Sequence, residues 1–344
     1  MTNRISLLQA VEITKAQIKD VTFMCLLRTK VTYFTRGGKM EFKDLILFMM
    51  NFVKKSLQME LDNFFENIKG KDISIAKQSY CEAREKISPQ AFVQMTDKIL
   101  NWFYAEDDFC TYKGYRLSAV DGSIIQVNDS VEMREAFGCQ GNSHKKVARA
   151  RVSKIYDVEN NMVLCSKITR CDTGERKVAI DMLKDLQRIG LKNDLILFDR
   201  GYPSTELITH LEDTGIKYVM RTSTVFLKAV NDAQEPDQVI EIQDSHKKPI
   251  KIRVVRFMLE SGEEEVLITN LFDKDFTVQD FKALYFKRWK IEIKYNEMKN
   301  RVMLENFTAN TKTSVEQDFY AYVYLANMAA IVKTEANRRI AERN

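Results

Sequence analysis

The chain has 344 residues, 45% of them hydrophobic, with only 12 glycines and 4 prolines. Disordered and repetitive classes are excluded, and one large domain or two to three smaller ones remain. The 53 basic residues against 48 acidic ones give a formal charge of +5, which is weak support for a polyanionic partner unless the charge is clustered. Six cysteines lie far apart with no C-x-x-C spacing, and His144, His210 and His246 have no metal-ligand spacing. This argues for free thiols in a reducing compartment and against a zinc site or a His-based triad.

The N-terminus "MTNRISLLQAVEITKAQIKD" carries charge throughout, unlike a signal peptide. The longest apolar run, "LILFMMNFV", is far short of a membrane span. The expectation is a cytoplasmic protein with no membrane partner. Residues 1–110 read as a helical N-terminal domain. "EFKDLILFMMNFVKKSLQMELDNFFENI" (41–68) has apolar residues at three- and four-residue intervals, and "ISIAKQSYCEAREKI" resumes that pattern after the break "KGKD". Ser88 and Pro89 predict the start of another helix, as N-cap and first helical residue. Helix, short turn, helix, with Lys77, Arg84 and Lys86 on the second, fits a DNA-binding module and equally an ordinary helical bundle.

From about residue 111 to 344 the pattern becomes mixed α/β. "YRLSAVDGSIIQV" predicts a strand, with Asp121 closing it before a Gly turn. "KVARARVSKIYDV" and "MVLCSKITR" predict a hairpin around "ENN". "ERKVAIDMLKDLQRIG" predicts a helix burying Val178, Met182, Leu183, Leu186 and Ile189 and stopping at Gly190. "DLILFDRGY" predicts a strand buried on both faces, with Asp199 at its end. Residues 216–272 predict a β-rich insertion separate from the main sheet. Within it Ile250, Ile252 and Val254 form an apolar face, and Lys251 and Arg253 a basic one. Helices resume at residue 277, where Thr277 and Asp280 predict a cap, and a last helix covers about 313–341.

The chemistry lies in the carboxylates. An aspartate closing an apolar strand is costly unless partnered, and sites in open α/β sheets gather at such strand ends. Asp-Gly at 121–122 is also a turn signal, and Asp199 could pair with Arg200. In "YFKRWKIEIKYNEMKNR" (285–301), Arg288, Glu292 and Lys299 fall about 60°, 20° and 40° from Tyr285 around a helix, in one narrow stripe. A solvated face with an Arg288–Glu292 pair explains that stripe as well. Asp121, Asp199 and Glu292 together offer three hard oxygen ligands without His or Cys, which suits Mg²⁺. Two such ions can hydrolyse a phosphodiester.

Tyr285, Arg288, Glu292 and Lys299 fit Y-x₂-R-x₃-E-x₆-K without a gap, preceded by "VDGS" at 120–123 and "FDRGYPS" at 198–204. In this the chain resembles the YREK group of DDE transposases, family four of the bacterial insertion sequences. "QSYCEAREKISPQAF" and "SVEQDFYAYVYLANM" resemble flanking segments of the same family. The resemblance implies a ribonuclease-H-like catalytic core with a β-rich insertion, preceded by the helical domain. It implies that Asp121, Asp199 and Glu292 hold two Mg²⁺ ions, with Mn²⁺ able to substitute. The partners implied are double-stranded DNA, as inverted-repeat ends and target, and a second copy of the chain in a synaptic complex. The activity implied is cut-and-paste transposition, with a hairpin step, at the bacterial nucleoid. Tyr285, Arg288 and Lys299 would contact DNA, Trp289 would receive a flipped base, and Arg221 would touch DNA from the insertion. Some relatives push that base with a second tryptophan. Here the tryptophans are Trp102 and Trp289, leaving Phe226 or Tyr218 for that task. A ribonuclease-H-like nuclease without strand transfer, or a shortened DNA-binding inhibitor of transposition, are the alternatives.

Overall fold

The computed structural model describes residues 6–51, 56–70, 73–105, 108–142, 145–223, 226–288 and 310–342. The chain forms two compact units: Met1–Asp107 with Ile125–Ala150 and Leu304–Asn344, and Asp108–Ile124 with Arg151–Met303. No disulfide links the cysteines among the described residues, and no helix among them is long and apolar enough to cross a membrane.

In chain order the structure begins with α1 (Leu7–Lys19), α2 (Val21–Leu27), α3 (Phe42–Met49), α4 (Leu57–Asn63), which runs into a π-helical turn (Phe64–Ile68), α5 (Lys77–Arg84) and α6 (Gln90–Phe103). The periodicity of residues 41–68 predicts a single helix. The structure instead ends α3 at Met49 and starts α4 afresh, because Ser56 caps it by accepting from the Met59 amide at 3.4 Å. The sequence predicts Ser88 as N-cap and Pro89 as first helical residue; the structure shifts both by one, with Pro89 as the N-cap and α6 starting at Gln90, whose amide still donates to Ser88 Oγ at 3.3 Å.

The elements then follow as β1 (Arg116–Gln126), α7 (Val131–Phe137), β2 (Cys139–Asn142), β3 (Lys145–Asp157), β4 (Met162–Arg170), α8 (Glu175–Leu186), β5 (Asp194–Phe198), α9 (Thr205–Thr214), β6 (Lys217–Arg221), α10 (Lys228–Asp232), β7 (Asp237–Gln243), β8 (Pro249–Met258), β9 (Glu264–Thr269), α11 (residues 278–288) and α12 (Lys312–Ala341).

In the first unit, apolar stripes at helical spacing build the core. Phe48 packs edge-on against Phe64 and Tyr80, with centroids 5.4 and 4.9 Å apart. The last helix belongs here, and polar contacts fix it. Arg84 of α5 is buried and donates to the Gln317 side chain (2.9 Å), the Ser314 carbonyl (2.9 Å) and the Asp318 carboxylate (2.6 Å). Gln317 returns two bonds of 2.8 Å to the Arg84 and Ile87 carbonyls. Arg84, read in the sequence with Lys77 and Lys86 as surface charge, is therefore an internal clamp, because α12 brings it three acceptors.

The second unit is a mixed α/β fold with a central sheet. β4 pairs with β3, β3 neighbours β1, and the order continues β1-β5-β6-β9-β8-β7. β1, β5 and β6 are parallel, and β6, β9, β8 and β7 alternate in direction. The buried Asp194 carboxylate sets the start of the parallel pair by accepting from Arg116 at 2.7 and 3.0 Å. All five residues of β5 are buried, as its apolar sequence predicts. The expected apolar face of α8 is buried throughout, and Gly190 ends the following turn at φ +75°.

Two expectations are corrected. Residues 216–272 are β-rich but extend the main sheet, because parallel β6 leaves an edge on which β9 pairs, from Val219–Thr269 to Arg221–Leu267. The basic face of β8 is also absent at Arg253. That side chain is buried, donating to Asp237 (2.7 and 2.6 Å) and to the carbonyls of Leu271, Asp273 and Phe276.

Candidate active site

Asp199 directly follows β5, and the parallel register brings it to Asp121. Ala119 partners Leu197, so continuing that register by two residues sets Asp121 on β1 level with Asp199, just past the end of β5. Asp121 does not close its strand as the sequence suggests. β1 continues to Gln126, because the Asp-Gly step stays extended instead of turning. The Asp121 carboxylate accepts from the Gly122 amide at 2.9 Å.

Glycine at 122 has a steric reason. A Cβ there would stand 3.2 Å from Ser153 Oγ and 3.6 Å from Tyr202 Oη. Tyr202 of the "DRGYPS" turn is buried, with its hydroxyl close to Gly122. Burial first, and then the charges of Glu175, Asp121 and Asp199, push its phenol far above the ordinary range, with Arg151 opposing. Glu175, first residue of α8, pairs with Arg151 of β3.

Asp199 sits among cations. Arg221 Nη1 lies 3.6 Å from its Oδ1, and Arg288 Nη1 lies 3.9 Å from its Oδ2. Both exceed hydrogen-bond range, and Oδ1 is a buried atom with no hydrogen-bond partner among the described residues. Arg221, the last residue of β6, is committed elsewhere. Its Nε donates to both oxygens of Glu265 at 2.7 and 2.8 Å, and its Nη2 lies 2.7 Å from Oε2. Its guanidinium also lies over the Tyr285 ring, 5.3 Å from the centroid. Tyr285 itself is buried against Phe257 and Phe286. Arg288 is buried beside Asp199.

The structure thus gathers Asp199, Arg221, Tyr285 and Arg288, with Asp121 reached through Tyr202. Trp289, Glu292 and Lys299 lie outside the described residues. Tyr218 is wholly buried and donates to Glu212 at 3.3 Å, so it presents no surface to a base. Of the basic run from His144 to Lys154, Arg151 pairs with Glu175, and Lys154 is buried over the Tyr156 ring.

The sequence did not single out Glu265, Tyr202 or Glu175. Tyr202 had a signal in its place beside Asp199. Glu265 had none, because "EEEVLITNLF" reads as a strand that opens on three like charges, with no mark to set one glutamate apart from the others.

Among the described residues no three His, Cys, Asp or Glu side chains converge as a metal-binding group. The two aspartates nevertheless suit a hard divalent cation. They are oxygen donors without a competing His or Cys, and the orphaned Oδ1 of Asp199 is an acceptor in want of a partner.

The class comes from sequence comparison. Residues 112–328 match the family described as the transposase DDE domain, and the chain belongs to it. A search of curated proteins returned no match. Among solved structures, the chain is similar to a piggyBac transposase synaptic complex with hairpin DNA, at 10% identity and a TM-score of 0.55. That match covers 98% of this chain and 77% of the other, and at such identity it speaks for the fold alone. A Mos1 mariner paired end complex with Mn matches at 11% identity over 61% of this chain and 65% of the other. Its TM-score of 0.22 is too low to bear on the fold.

Proposed function

We propose that the chain is the transposase of a bacterial insertion sequence of the YREK group. It binds the inverted-repeat ends of its element as double-stranded DNA, cuts the phosphodiester there and joins the freed 3′-hydroxyl to target DNA. One observation carries the reading: the register of two adjacent parallel strands brings Asp121 and Asp199 level, with two arginines beside Asp199, in a chain of the DDE family. The succession β4-β3-β1-β5-β6 supports a ribonuclease-H-like core. Residues 1–110 would grip the ends, residues 111–344 would carry the catalytic domain, and two copies would pair the ends in a synaptic complex.

Asp121, Asp199 and Glu292 would hold two Mg²⁺ ions, with Mn²⁺ substituting. Bound there, the ions supply Lewis-acid activation of the attacking hydroxyl and stabilise charge on the phosphate. The protein's own residues do the positioning. Tyr202 packs between the aspartate-bearing segments and holds them in place. Arg221 and Arg288 bring positive charge to where a phosphate must sit. Tyr285 packs against Arg221, while Trp289 and Lys299 continue the DNA contacts, with Trp289 as the platform for a flipped base.

The test compares cutting with binding. Asp199→Asn and Glu292→Gln should each lose Mg²⁺-dependent cleavage of end DNA while still shifting that DNA in a gel. Cleavage at the wild-type rate by either variant would remove that residue from the site. Lys299→Ala should lower the salt slope of end binding by about one unit. An unchanged slope would return it to a solvated face.

A further inference from the structure

Glu265 is fully buried, yet it bears a carboxylate. An apolar side chain of similar size would be the cheaper occupant, since a buried ion pair seldom outweighs its own desolvation. What the carboxylate does is visible in its partners. It takes Nε and Nη2 of Arg221 and also lies 3.4 Å from Arg200. An arginine beside a carboxylate ordinarily forms a bidentate fork with it. Arg221 has two carboxylates within reach, and the fork goes to Glu265. Only Nη1 faces Asp199, at 3.6 Å, and Asp199 Oδ1 has no hydrogen bond among the described residues. The ring of Tyr285 holds the guanidinium in that orientation.

We propose that Glu265 is a positioning residue: by taking the fork of Arg221 it keeps Asp199 open to a divalent cation, while one guanidinium nitrogen stays close enough to meet the incoming phosphate. The inference rests on reading Asp199 as a metal ligand. With Glu265 neutralised, Arg221 turns its fork to Asp199 and competes with the cation for the same oxygens. With Arg221 removed as well, the competitor is gone.

The experiment is a Mn²⁺ titration of the full chain, followed by the electron paramagnetic resonance signal of free Mn²⁺, with thermal unfolding measured in parallel. Glu265→Gln should weaken Mn²⁺ binding roughly tenfold, and Glu265→Gln with Arg221→Gln should return it to within about threefold of wild type. Glu265→Gln with wild-type Mn²⁺ affinity and only a lowered melting temperature would overturn the proposal, as would a double variant no better than the single one. Should Glu265→Gln fail to fold, Glu265→Asp keeps the charge but shortens the reach. It should then weaken Mn²⁺ binding by roughly threefold, and an unchanged affinity would overturn the proposal. Asp199→Asn separates the two levels of the reading. If it binds Mn²⁺ like wild type, or if wild type binds none, the metal-site reading itself fails. If Asp199→Asn loses Mn²⁺ while Glu265→Gln keeps it, only the role of Glu265 fails.

Discussion

A buried carboxylate oxygen without a hydrogen-bond donor is expensive to maintain, and among the described residues Asp199 Oδ1 is one. Its neighbours show how close the packing around the site is. Gly122 is the residue where a single methyl group should be felt. Gly122→Ala would press on Ser153 Oγ at 3.2 Å and Tyr202 Oη at 3.6 Å, so it should cost about 1–2 kcal/mol of stability as overpacking. Urea unfolding measures this, and an unchanged midpoint would show that Ser153 and Tyr202 yield freely. Asp121 and Asp199 stood out in the sequence because each follows an apolar run, where a carboxylate needs a reason, although β1 continues past Asp121 to Gln126. Glu265 did not. It follows Glu263 and Glu264, and only the antiparallel pairing of β9 with β6 sets it against Arg221. Arg253 was misread for the same reason, since its four acceptors come from β7 and from the loop before α11.

At the scale of elements, helix ends and strand patterns could be read locally, whereas their partners could not. The cap of α11 was foreseen. Thr277 Oγ1 accepts from the Asp280 amide at 3.3 Å, and Asp280 accepts from the Thr277 amide at 2.8 Å. The hydrogen bond from Lys113 first, and those from Thr277 next, hold the Asp280 carboxyl down to about 2. Its folded pKa lies below the ordinary aspartate value of about 3.9. The stability it contributes is therefore complete above about pH 4 and is lost as pH falls towards 2. Asp280→Asn should flatten that acid limb and leave the curve above pH 5 parallel to wild type. A limb of unchanged steepness would contradict this. The clamp between α5 and α12 was not legible, because Arg84 and Gln317 are 233 positions apart and a lone arginine on a short helix reads as surface charge. Arg84→Ala strands Asp318 and Gln317, so it should cost about 3 kcal/mol, read from urea unfolding. A loss below about 1 kcal/mol would mean that the network adds little beyond packing.

The whole molecule joins a helical unit to a mixed α/β unit, and the sheet of the second brings two aspartates from distant stretches of sequence to one edge. That convergence was inferred from strand-end logic and from the spaced Tyr, Arg, Glu and Lys. The course of β6, β9, β8 and β7 along the same sheet was not, because strand order is a matter of edges and not of local pattern. The central claim is that this chain both cuts and joins DNA. It is tested most directly by incubating the full chain with labelled inverted-repeat ends and a supercoiled target, with Mg²⁺ or with EDTA, and sequencing the products. The account predicts end 3′-hydroxyls joined covalently to target DNA in Mg²⁺ and no product in EDTA. Ends that are cut but never joined, or cutting that persists in EDTA, would contradict it.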